Sequence, residues 1–196
     1  SETMFGFFLG TSLGILLAIA IVHNRATAIS VMPWIITSQT IPILALAPMI
    51  IVALGSAGFS GLLPIAIISM YLSFFPVVVG MVKGLRSPER LELDQMKTWS
   101  ASGPQVLIKL RLPKSMPFFF TSLKLGMAAA LVGAIVGELP SGGGGGLGFR
   151  MLSGSTFGNT LHIWSGLFSA ALLAAALITF IGILQKVILK KMALEL

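Results

Sequence analysis

Cysteine is absent from the 196 residues, which excludes disulfides, thiolate chemistry and cysteine-ligated zinc. Charge is scarce as well: 10% of residues are charged, against about 25% in an ordinary soluble domain. With 56% hydrophobic residues beside so little charge, the chain cannot cover a water-facing surface, and it reads as a membrane protein. Acids are the rarest of all, six against 13 Lys and Arg, for a net charge of +7. In so apolar a chain this excess points to basic ends held at an anionic membrane surface, not to nucleic acid. The two histidines, His23 and His162, are placed at helix ends on opposite membrane faces, which excludes a shared metal site. No pair of acids stands near a nucleophile or histidine within the apolar tracts, so neither catalysis nor a cofactor is expected.

What is present is long uncharged tracts. Met4–Val22 holds 19 residues without a charge, enough to cross a hydrocarbon core of about 30 Å. The tract from Ala26 to Val82 is far too long for one span, and the cluster Gly55-Ser56-Ala57-Gly58-Phe59-Ser60-Gly61 divides it. The division gives one helix near 31–54 and another near 62–82. The segments 117–138 and 163–185 complete five transmembrane helices, an all-α polytopic protein in a single domain spanning 1–196. No cleavable signal peptide is evident.

Positive charge sets the orientation. Five spans place 12 of the 13 Lys and Arg on one side and Arg150 alone on the other. By the positive-inside rule, loop 83–116 and the C-terminus are cytoplasmic and loop 139–162 is external. The N-terminus is then outside, as expected of a chain whose preceding helix is missing.

Gly6, Gly10 and Gly14 recur every four residues, with Ala18 continuing the row, and Ala129, Gly133 and Gly137 repeat the pattern. Such smooth faces let helices approach closely, either within one subunit or at a mobile or dimeric seam. Pro42, Pro48, Pro64 and Pro76 interrupt the second and third spans, each freeing a backbone carbonyl. Thr37, Gln39 and Thr40 beside Pro42 either line a translocation path or simply hydrogen-bond inside the bundle.

Loop 83–116 is the one long polar stretch. Ser87-Pro88-Glu89 reads as a helix start, with Glu89, Arg90, Glu92, Asp94 and Lys97 polar and Leu91, Met96 and Trp99 apolar. Ser102-Gly103-Pro104 starts a second short helix, Leu112-Pro113 ends it, and Pro117 opens the fourth span. Two capped helices at the membrane surface suggest a docking element.

This loop resembles the cytoplasmic loop of permease subunits of binding-protein-dependent ATP-binding-cassette importers. The family pattern is Glu-Ala-Ala, three residues, Gly, nine residues, Ile, one residue, Leu-Pro. Leu112-Pro113 matches outright, Leu110 stands at the Ile position, Ser100 at the Gly position, and Asp94-Gln95-Met96 at Glu-Ala-Ala. Gln95, Met96 and Ser100 depart from the pattern. Ile41-Pro42-Ile43-Leu44-Ala45-Leu46-Ala47-Pro48 and Phe74-Phe75-Pro76 resemble core helices of sulfonate, taurine and nitrate permeases. The wording around Trp99–Ser102 and Val132–Glu138 is similar to riboflavin or thiamine-pyrimidine-precursor relatives.

The resemblance implies a type I importer permease fold and a position in the inner membrane. It implies a second permease subunit, most simply an identical copy, around a central path. It implies an external solute-binding protein and a cytoplasmic ATPase dimer, with no ATP hydrolysis by the chain itself. Glu89, Arg90, Leu91, Asp94, Gln95, Met96, Trp99, Ser100, Leu110, Leu112 and Pro113 are then the ATPase-coupling residues. The rivals are a secondary transporter, which needs inverted repeats and coupled intramembrane acids, and a passive channel, which needs a filter. Neither feature is found.

Three further features complete the sequence. Gly142–Gly146 satisfies a dinucleotide-binding pattern only by repetition, lacking a preceding strand and a following acid, and reads as a flexible external loop. Lys124 falls where the family commonly has a basic residue; it snorkels to the interface, forms a structural pair or acts at a gate. Glu138 ends the fourth span on the outer side. It serves either a structural hydrogen bond near the outer gate or direct contact with solute or binding protein.

Overall fold

A computed structural model describes residues 2–140 and 145–194. Among these residues the regular structure is entirely helical: α1 (Glu2–His23), α2 (Arg25–Ser38), α3 (Ile43–Ser56), α4 (Leu62–Leu85), α5 (Arg90–Thr98), α6 (Gly103–Val106), α7 (Leu112–Glu138), α8 (Leu147–Thr156) and α9 (Thr160–Leu194). Four helical stretches are long and apolar enough to cross a membrane: α1, α4, the unbroken run from Gly103 to Glu138, and Thr160–Met192 of α9. The α2–α3 pair passes the same test jointly but is bent by 95°. Five spans are therefore counted only if the bent pair is one.

The bend corrects the expected single helix near 31–54. Pro42 caps α3 with extended backbone (φ −63°, ψ 121°), and it has no N–H to offer the carbonyl of Ser38 four residues back. A proline read as a kink is in fact a break. Tyr71, on α4, donates its hydroxyl to that Ser38 carbonyl.

The expected stop at Leu112-Pro113 is also corrected. Leu107–Arg111 forms a π turn, in which the Leu112 N–H reaches the Leu107 carbonyl five residues back. The wider turn lets the chain run into α7 with Pro113 in its first turn, where a missing N–H costs nothing. Pro117, expected to open the span, lies inside α7. The segment 139–162 is likewise not all loop, since α8 occupies ten of its residues. Most of the glycine run expected to be flexible, Gly142–Gly144, lies outside the described residues.

The core is built around α4, with α1 on one side and α7 on the other. Glycine makes the approach possible. A Cβ on Gly10 would stand 2.1 Å from Ser73 Oγ, and one on Gly6 would stand 2.4 Å from the Ala66 carbonyl oxygen. On the far side a Cβ on Gly133 would meet Ser69 Cα at 2.9 Å, while Gly80 and Gly84 of α4 receive Ser122 and Ser115 of α7. Both glycine rows thus serve packing within the chain, the first of the two readings. Val77, Val78, Ile68 and Leu85 are fully buried at the centre. By contrast α9 keeps most of its side chains exposed; it lies against α7 and α8, where Met151 packs on Gly166.

Candidate functional site

Between α4 and α7 the chain builds a small polar platform from α5, α6 and the π turn. Helix α5 begins two residues later than Ser87-Pro88-Glu89 suggested: Glu89, not Ser87, is its N-cap, in a reciprocal capping box with Glu92. The Glu89 N–H donates to Glu92 Oε2 at 2.9 Å. Ser102 caps α6 in the same manner, its N–H donating to Gln105 Oε1 at 2.8 Å.

The turn between them carries the family's glycine position. Ser100 has φ +51°, the one non-glycine residue with positive φ among the described residues. Its N–H donates to the Lys97 carbonyl at 2.8 Å, and the Ala101 N–H donates to the Met96 carbonyl at 3.0 Å. This pair of bonds is a Schellman ending, in which a left-handed residue normally is glycine.

Two long-range contacts fix the platform. The Lys114 ammonium on α7 bonds the Glu92 carboxylate. Arg111 Nη1 donates to the Leu85 carbonyl at 3.3 Å, at the end of α4. The Glu92 carboxyl is held below its ordinary value by the Lys114 hydrogen bond first and the Glu89 N–H second, against a smaller opposing effect of burial. The Asp94–Lys97 pair, at 2.7 Å, is exposed and local, and such pairs contribute little.

The predicted coupling residues separate into groups here. Leu91 is 78% exposed and Trp99 68%, both large apolar side chains facing outward. Met96 is 8% exposed and packs inward. Gln95, Met96, Trp99 and Leu110 come together along a groove of about 430 Å³, closed on its other side by Gln105 and Lys109. Arg90 and Asp94 stay exposed on α5. Leu112 and Pro113 belong to the first turn of α7.

The expected pathway or gate residues fall in three different places. Thr37, Gln39 and Thr40 surround the α2–α3 break, where Thr40 Oγ1 donates to the Thr37 carbonyl at 2.8 Å and Gln39 Nε2 to Ser38 Oγ at 3.3 Å. Lys124 on α7 donates through Nζ to Gln185 Oε1 on α9 at 2.6 Å. Glu138 ends α7 and takes the start of α8, its Oε2 accepting from the Gly148 N–H at 2.6 Å, with the Phe149 N–H adding to the contact. Gly146 and Gly148 lie against this carboxylate, too close for any side chain. Sequence reading missed Tyr71, Lys114 and Gln185 as partners. Tyr71 alone carried a signal, as the single tyrosine of an apolar chain. Among the described residues no three His, Asp or Glu side chains gather as metal ligands.

Residues 10–194 match the family described as binding-protein-dependent transport system inner membrane component. The chain belongs to this family. A probable ABC transporter permease of Haemophilus influenzae is 32% identical to this chain over 77% of its residues and 60% of the relative's. A formylaminopyrimidine transport permease of Halalkalibacterium halodurans is 34% identical over 68% of the chain and 52% of the relative. A putative aliphatic sulfonates transport permease of Bacillus subtilis is 26% identical over 94% and 65%. The chain therefore spans between half and two thirds of the length of these relatives. The match extends from α1 to the end of α9, so platform and spans lie within one family unit.

Proposed function

We propose that this chain forms the translocation path of an ATP-binding-cassette importer, pairing with a second copy of itself. In this reading an external binding protein delivers a small organic solute and a cytoplasmic ATPase dimer docks on α5 and α6. The observation that carries it is the exposure of Leu91 and Trp99 on a doubly capped platform tied to both α4 and α7. Apolar anchors with a polar rim are what a helix-in-groove contact uses. The charge distribution supports a cytoplasmic platform, since Lys and Arg gather on its side of the spans and Arg150 lies in α8 on the other.

Closure of the ATPase dimer would push α5 and α6, and the run from Gly103 to Glu138 would carry the push across the membrane to the contact of Glu138 with α8. The relatives are named for different solutes, a formylaminopyrimidine and aliphatic sulfonates. We therefore assign the chain a small organic solute and neither of these in particular.

The test is crosslinking in the assembled transporter. Single cysteines at Leu91 and Trp99 should crosslink to the ATPase, and one at Ser153 in α8 should not. Leu91→Asp should release the ATPase, because losing a buried anchor costs about 2 kcal/mol or more, roughly 30-fold in affinity. Met96→Asp is the poorer probe, since Met96 is buried within the platform itself. Unchanged ATPase binding in Leu91→Asp, with no crosslink from either position, would overturn the docking assignment. Orientation is read separately: cysteines at Ser153 and Ser102 should label from opposite sides of sealed vesicles, and labelling from one side would overturn the topology.

A further inference from the structure

Lys124 is a cation within an apolar span, and its hydrogen bond goes to a neutral amide, Gln185 Oε1 at 2.6 Å. The two ion pairs among the described residues are Lys97–Asp94 and Lys114–Glu92, so no carboxylate answers this ammonium. A charge held inside a membrane without a partner is costly, and such groups mark binding or conduction sites.

The surroundings add positive charge. Lys124, Gln185 and Lys186 line a pocket of about 470 Å³ between α7 and α9, together with Thr179, Gly182 and Leu189. No acid lines it. Gly182 stands beside the amine, where a Cβ would lie 3.7 Å from Lys124 Nζ. Lys190 follows Lys186 by one helical turn on exposed α9. Glu138, at the other end of α7, is about 21 Å away at 1.5 Å per residue, which puts the Lys124 backbone about 9 Å inside the opposite edge of a roughly 30 Å core. From there its stem snorkels toward the interface, where lipid phosphates and glycerol esters lie. Next to the pocket α9 presents Phe180, Ile183 and Val187, each more than half exposed, as a surface for acyl chains.

We propose that Lys124, Gln185 and Lys186 bind the headgroup phosphate of an anionic phospholipid, with its acyl chains laid along α9. Basic pockets between spanning helices take such headgroups. Phosphatidylglycerol carries a net negative charge into the pocket, whereas phosphatidylethanolamine brings its own ammonium and loses the preference. Dissolved phosphate has the charge but none of the acyl contact. The assignment is independent of the transport reading, which decides only which leaflet supplies the lipid.

The experiment uses the full chain in its assembled transporter, reconstituted in phosphatidylethanolamine with phosphatidylglycerol, and counts lipids retained on gentle extraction by native mass spectrometry. The parent should retain phosphatidylglycerol preferentially. Lys186→Ala, at an exposed position that leaves the fold untouched, should weaken retention about fivefold, the effect of one lysine near an anionic headgroup. Gln185→Glu supplies the missing counter-charge and should weaken it at least as much while keeping or raising thermal stability. Lys97→Ala, on α5, should change nothing. The assignment is overturned if both pocket variants retain phosphatidylglycerol like the parent, or if the parent retains phosphatidylethanolamine equally. Displacement by millimolar inorganic phosphate would also overturn it, revealing a soluble-anion site instead of a lipid site.

Discussion

The hydroxyl of Tyr71 donates to the carbonyl of Ser38, the one carbonyl that Pro42 leaves without its helical partner. In lipid no water can take that role, so the α2–α3 break is sustained by a side chain from α4. Tyr71→Phe keeps the ring and removes the donor. It should destabilise the chain by about 1–3 kcal/mol, the cost of an unsatisfied buried group. Thermal unfolding of the purified protein measures this, and an unchanged midpoint would mean that the Ser38 carbonyl has found another donor.

Ser100 carries a conformational penalty at φ +51° that glycine would not. Left-handed backbone costs a residue with a side chain roughly 1 kcal/mol. Ser100→Gly should therefore slow hydrogen exchange across α5, while Ser100→Val should speed it. The reverse order would show that the Schellman turn is not what ends this helix.

Gly10 has Ser73 Oγ 2.1 Å and the Met70 carbonyl 2.9 Å from where its Cβ would be. Gly10→Ala should lower stability by about 2 kcal/mol through overpacking. Adding Ser73→Ala removes the nearer clash and leaves the backbone one, so the double variant should recover in part. Full stability in Gly10→Ala alone would contradict the α1–α4 packing.

The Glu92 carboxyl is held below its ordinary value of 4.5 by Lys114 and by the Glu89 N–H. A carboxyl depressed in the folded state stabilises it above the unfolded value and loses that contribution as pH falls through the folded one. Protection of α5 amides should thus be steady near neutral pH and decline below about 4.5. Glu92→Gln should show weaker protection at neutral pH and a shallower acid decline. Identical profiles for the two proteins would remove the Lys114 contact from the account.

Uncharged length made α1, α4 and α9 legible, and the glycine cluster at 55–61 marked the α3–α4 break. Prolines were the ambiguous letters. Pro42 stands at a break while Pro48, Pro76 and Pro117 sit inside helices. The carbonyl freed at Pro42 accepts from Tyr71 of α4, a tertiary contact that local sequence does not announce. Helix α8 was hidden by its glycines; its signal was only Leu147 and Met151 one turn apart, of which Met151 packs on Gly166. On the platform, the match of Ser100 to the family's glycine position agrees with its left-handed backbone. Which of the apolar residues of α5 faces out was not legible, since Leu91, Met96 and Trp99 do not share one stripe.

Along the glycine rows where α1 and α7 meet α4, glycine and serine bring backbone close to backbone, while Phe7, Val77 and Met127 fill the space beside them. Rotamer changes, which let packed helices shear past one another, have little room at these close approaches. We expect the three helices to move as one block. Several outlying parts are attached to it by a polar tether: α2 through Tyr71, α5 through Lys114, α8 through Glu138 and α9 through Lys124. A single side-chain bond can open and reclose without disturbing the block it is anchored to. We therefore expect changes of shape in this chain at its periphery, and these tethers are the places to look for them.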